Sequence, residues 1–143
     1  MSSNFEVDMK ISTATGSVNV TVEKSGLKTE LTAQRIILDN NFTLGAHFGP
    51  NDGTRVPALN LESFRRLEVG SYEIGSEGEH VQAIYGTGRG SVISGDLGYG
   101  LLKINKIDNQ SGVQYVEGSF EFMSTNDNNE ISKIVCKKFW ARR

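Results

Sequence analysis

Apolar residues recur at every second position along most of the chain. Phe5, Val7, Met9 and Ile11 alternate with polar neighbours, as do Val18, Val20 and Val22. Phe42, Leu44, Ala46 and Phe48 repeat the pattern. A period of two puts one face of an extended strand against a core. Ala14-Thr-Gly-Ser17, Ser25-Gly26 and Asp39-Asn-Asn41 read as the intervening turns, with Leu27, Leu31, Ala33, Ile36 and Ile37 between the last two. Strands joined by short polar turns pair antiparallel, because a parallel pair needs a long crossover.

Residues 49–66 interrupt this rhythm. Gly49-Pro-Asn-Asp-Gly53 has the composition of a loop. Asn60-Leu-Glu-Ser-Phe-Arg-Arg66 predicts one short helix, with Asn60 as N-cap and Leu61 and Phe64 facing inward. Strand patterning resumes at Gly70–Ile74 and at His80–Tyr85. Residues 86–100 hold six glycines, which suit a bulged or flexible segment with a short strand at 91–94. Three further strands are predicted at 101–107, 113–124 and 131–140, separated by polar loops. Nine or ten strands and at most one short helix near 60–66 define an all-β domain spanning 1–143. An antiparallel meander folded as a β-sandwich is favoured over a closed β-barrel.

Composition adds limits. The chain has 143 residues, 37% of them hydrophobic and 22% charged, enough for one core without cross-links. No apolar stretch approaches the ~20 residues of a membrane helix. One cysteine, Cys136, allows no internal disulfide. The first residues, Met1-Ser-Ser-Asn-Phe-Glu-Val-Asp, carry neither a basic nor an apolar leader segment. A cytoplasmic location is expected as the chain stands, with export the alternative if a signal segment was removed. Charge is unevenly placed. All seventeen acids lie in residues 1–130, whereas residues 131–143 carry five cations and no acid.

The second half has a recognisable order of short motifs: Gly70-Ser-Tyr-Glu-Ile74, Ala83-Ile-Tyr85, Leu102-Lys-Ile-Asn-Lys-Ile-Asp108 and Val116-Glu-Gly-Ser-Phe-Glu-Phe122, then a closing strand. Over roughly residues 70–140 this resembles the small all-β domains of uncharacterised function common in Bacteroidetes lipoproteins. The resemblance implies an all-β fold and, from the usual setting of such domains, export. It brings no catalytic residues. The close of the last strand, Lys137-Lys-Phe-Trp-Ala-Arg-Arg143, is basic where the family's is apolar.

Candidate chemistry is sparse. Nucleophilic catalysis needs a nucleophile with a base in reach, and the chain offers His47, His80 and Cys136 with no Gly-x-Ser-x-Gly elbow. Two distant histidines and one cysteine lack zinc-ligand spacing. The Asp/Asn-rich stretches lack the frame of a calcium loop and suit turns. Gly86-Thr-Gly-Arg-Gly90 has neither phosphate-loop spacing nor a following helix. No metal or cofactor is expected. Lys133, Lys137, Lys138, Arg142 and Arg143 with Phe139 and Trp140 mix cations and aromatics, as single-strand binders do. The acidic remainder of the chain and the alternation of faces argue against nucleic acid. Pairing of this strand with Glu117 and Glu121 is the simpler expectation. Glu68, Glu73, Glu77 and Glu79 form an acidic run without a Lys or Arg between Arg66 and Arg89.

These readings favour a non-enzymatic binding or structural domain that makes contacts through loops 49–66 and 86–100. Its candidate contact residues are Glu68, Glu73, Glu77, Glu79, Tyr85, Arg89 and Tyr99. One alternative is a small acidic inhibitor or immunity-type protein facing a basic partner protein. A second is a barrel enzyme, isomerase-like or cyclase-like, on an apolar ligand. An edge strand near either terminus would allow a homodimer.

Overall fold

The computed structural model describes residues 13–39, 41–50, 56–75, 81–87, 96–109, 114–125 and 130–143. The strands expected at 5–11 and 91–94 lie outside them. Ten strands are formed among the described residues: β1 (Thr13–Lys24), β2 (Leu27–Thr32), β3 (Arg35–Asp39), β4 (Phe42–His47), β5 (Ala58–Ser63), β6 (Gly70–Ile74), β7 (Val81–Gly86), β8 (Asp96–Asp108), β9 (Tyr115–Thr125) and β10 (Ile131–Arg142). There is no helix among the described residues, so none is long and apolar enough to cross a membrane.

The strands make one sheet in the order β10-β9-β8-β6-β7-β5-β4-β3-β1-β2, and β10 also pairs with β1. That extra pairing makes the sheet ring-like, with β2 lying outside the ring. The architecture is all-β, a single sheet turned on itself, between the sandwich and the closed barrel weighed from the sequence. Its inner face carries one core, in which Val18, Leu44, Leu61, Leu102, Ile134 and Phe139 are fully buried. The meander is interrupted at β1, whose one edge takes β3 and then β2, and again between β5 and β8. β6 pairs with β8 and β7 with β5, leaving β6 and β7 parallel through the single pair Ile74↔Val81.

Two local expectations are corrected. The helix predicted at 60–66 is strand β5 up to Ser63, paired with β4 on one side and β7 on the other. Helical spacing of Leu61 and Phe64 misled: Leu59 and Leu61 alternate with Asn60 and Glu62, whereas Phe64 lies beyond the strand and is exposed. Ladder bonds on both edges outweigh a weak local helix preference. The turn expected at 14–17 is the first part of β1. Gly16 lies opposite Ala141, and a Cβ there would collide with the Trp140 carbonyl oxygen. This glycine serves a close strand approach, the second use glycine has besides turns.

The basic last strand contains a β-bulge. Val18 pairs with Phe139 but Thr21 with Val135, and β9 shows the same extra residue between Cys136 and Phe139. Strict alternation after Ile134 and Cys136 would send Lys138 inward. The bulge leaves Lys137 and Lys138 both exposed and returns Phe139 and Ala141 to the core. Phe139 packs beside Phe120, with ring centroids 5.7 Å apart.

A Cβ on Gly118 would meet the Lys103 carbonyl oxygen and lie 3.1 Å from the Phe139 ring. Gly118→Ala is expected to cost about 1–3 kcal/mol, the usual penalty of overpacking, measured as a lowered denaturant midpoint with unchanged slope.

Candidate functional site

The described strands bring apolar side chains together at one mouth of the ring. The turn between β1 and β2 is the two-residue Ser25-Gly26, both at positive φ (53° and 80°), which closes a tight hairpin with Lys24 opposite Leu27. Opposite residues share a face, so Leu27, Thr29 and Leu31 stand on the same inward side as Lys24, Val22 and Val20. The β3–β4 ladder stops at Arg35↔His47, and β2 runs on past it. The N–H of Ala33 donates to the Val18 carbonyl at 2.9 Å, while that of Gln34 donates to the His47 carbonyl at 2.8 Å. The chain changes partner between these two residues.

The outcome is an open groove of about 390 Å³, lined chiefly by Val22, Leu27, Leu31, Pro57 and Tyr85, with hydroxyls of Thr29, Thr87 and Ser132 at its sides. Leu27 is 75% exposed on its wall. Lys24 at the groove is held by Glu130 at 3.0 Å. The Tyr85 hydroxyl has its pKa raised above the ordinary tyrosine value by burial, so it stays protonated at neutral pH.

The candidate residues named from the sequence do not converge. Tyr85 lines the groove. Tyr99 is 64% exposed and lies opposite Met123 on the outer face. Glu68 precedes β6 in a loop clipped by Tyr72, whose hydroxyl accepts from the Glu68 N–H at 2.8 Å and donates to its carbonyl at 3.0 Å. Glu73 is exposed on β6, and Lys103 on β8 lies opposite Ser71, two residues along. Tertiary pairing thus sets a cation near an acidic run that has none in sequence. Glu77, Glu79 and Arg89 lie outside the described residues. Of the two loops expected to make contacts, the first contributes Pro57 and the second Thr87. Sequence reasoning missed Leu27, whose signal was a large apolar residue immediately after a tight turn.

The basic strand behaves differently from expectation. Glu121 faces Val135 and Glu117 faces Trp140, so neither lies directly opposite a cation of β10. Arg143 is bound within the fold: its Nη1 donates to Asp39 Oδ1 at 2.8 Å and to the Leu38 carbonyl at 3.3 Å. The bulge sets the register, and the bulge is invisible to simple alternation.

No cluster of three His, Cys, Asp or Glu side chains suited to a metal occurs among the described residues. Burial pushes the Cys136 thiol up to about 11, against the lowering effect of the Lys138 and Asn19 backbone N–H groups. A thiol this high holds almost no thiolate at neutral pH. The pKa of His47 is lowered from 6.5, first by desolvation and then by the Arg35 charge.

The family described as Domain of unknown function (DUF6252) matches residues 51–137. That span holds β5 to β9 and includes Pro57 and Tyr85 of the groove; β1 and β2 lie outside it. No curated protein and no solved structure matches the chain.

Two outcomes follow from the titrating groups. Cys136 is expected to resist an aromatic disulfide reagent in the folded protein and to react once denaturant unfolds it, read by thiolate absorbance. The unfolded chain protonates His47 near 6.5, whereas the folded chain does so only at lower pH. Stability at this site is therefore present above pH 6.5 and declines as the pH falls toward the folded value. His47→Gln should flatten that decline in pH-resolved urea titrations.

Proposed function

The chain belongs to the family of domains of unknown function DUF6252, and from that premise we propose that it is a non-enzymatic binding domain that takes up an extended protein segment along β2. The observation that carries this reading is the combination of an edge strand with an apolar groove on its inward side. Among the described residues β2 pairs with β1 and with no other strand. An edge strand presents a row of backbone donors and acceptors, a template for another strand. Main-chain bonds would supply affinity and alternate side chains entering the groove would supply selectivity. Leu27, exposed beside Val22 and Tyr85, is the apolar anchor. The hydroxyls at the groove suit orientation of a peptide backbone. Cys136, buried and held protonated, lacks the environment of an activated nucleophile.

Selection of random peptides displayed on phage tests the reading. Enriched peptides should carry apolar residues at alternate positions, and Leu27→Asp should reduce their affinity at least tenfold, the loss of about 1.4 kcal/mol, without changing the fold seen by circular dichroism. Failure to enrich such peptides, or enrichment indifferent to Leu27→Asp, would overturn it.

A further inference from the structure

We propose that the strand received by β2 is β2 of a second copy, giving a two-fold antiparallel dimer centred on Thr29; this rests on the strand-addition reading above. The argument begins with the turn. Lys24 and Leu27 close a two-residue hairpin, and such a closing pair exchanges backbone hydrogen bonds. Bonded and non-bonded pairs alternate along an antiparallel ladder. Leu27, Thr29 and Leu31 therefore spend their backbone groups on β1, and those of Lys28, Glu30 and Thr32 point to the other edge.

A two-fold axis perpendicular to the sheet restricts the possible registers, because opposite residues must lie on the same face. Only pairings centred on a residue are allowed. Centring on Lys28 sets two ammonium groups opposite each other, and centring on Glu30 does so with two carboxylates. Centring on Thr29 sets Lys28 opposite Glu30 of the second copy, twice by symmetry, on the outer face. Like charges directly opposite destabilise a strand pair and opposite charges stabilise it. Centring on Leu31 overlaps only residues 30–32 of each strand and brings neither charge opposite its complement. Charge and overlap together thus select the register centred on Thr29.

The inward face agrees with the same register. Leu27 of each copy meets Leu31 of the other, so the most exposed large apolar side chain among those described gains an apolar neighbour. The two contacts lie along the wall of each groove, which the added strand would border. Lysine on an edge strand ordinarily discourages pairing. Here Glu30, two positions away on the same face, converts that deterrent into a selector for one partner and one alignment.

Sedimentation equilibrium of the full chain, with charge variants, tests the inference. Wild type should approach twice the 15.7 kDa monomer mass with rising concentration. Lys28→Glu alone and Glu30→Lys alone should each weaken the dimer about tenfold, since two pairs turn repulsive. The double variant K28E/E30K should regain wild-type affinity. An equimolar mixture of the two single variants should form a heterodimer, because each then faces its opposite charge. A wild type that stays monomeric, or a dimer insensitive to these exchanges, would overturn the dimer. If phage-selected peptides still bound in a Leu27-dependent way, the strand-addition reading would stand without it.

Discussion

The β-bulge at Lys137 and Lys138 is the constraint on which the ring depends. β10 must satisfy long neighbours on both sides, β9 and β1, and its pairing with β1 is the one that closes the ring. Its inward positions are Ile134 and Cys136 before the bulge and Phe139 and Ala141 after it. Without the extra residue, one half of the strand would present lysine to the core. With it, a highly basic segment closes the sheet and keeps its charges in water. The thiol of Cys136, beside the bulge, is buried and held protonated as a consequence.

Closure at β1 creates the second feature of interest. One edge of β1 is taken by β10, while the other is shared between β3 near its start and β2 toward its end. The chain from 27 to 39 therefore serves two roles in succession. As β3 it belongs to the ring. As β2 it leaves the ring, pairs with the second half of β1 and lines the groove with the exposed Leu27. Arg143 ties the end of β10 to Asp39 and Leu38, so the β3 side of this junction is fastened by side-chain bonds. The groove is thus a product of ring closure rather than of any local motif.

How much was legible in the sequence varies by element. β4, β9 and the tight turn at Ser25-Gly26 were plain, because alternation or turn chemistry is local. β5 was misread, because Asn60, Leu61 and Phe64 satisfy a helical spacing and only pairing on both sides decides for the strand. Gly16 was misread for a related reason: a glycine between apolar runs signals a turn unless a partner strand is known to approach it. The candidate site was less legible still. Tyr85 was identified, but its neighbours Leu27, Leu31 and Val22 come from another hairpin more than fifty residues away in sequence.

By itself the sequence determined the all-β character of the chain, through a two-residue apolar period that no helix can bury. It also determined the closing turn of the first hairpin at Ser25-Gly26. Tertiary structure decided which strands neighbour one another, where β6 and β7 exchange order, and that the sheet returns to β1. Those choices rest on backbone ladders and close glycine contacts between distant segments, which leave little trace in local composition. The same is true of the charge. In sequence it is an acidic chain with a basic end, but across the strands Lys103 stands near Glu73, Lys24 holds Glu130 and Arg143 holds Asp39. Strand pairing, which only the fold can arrange, decides which of these charges meet.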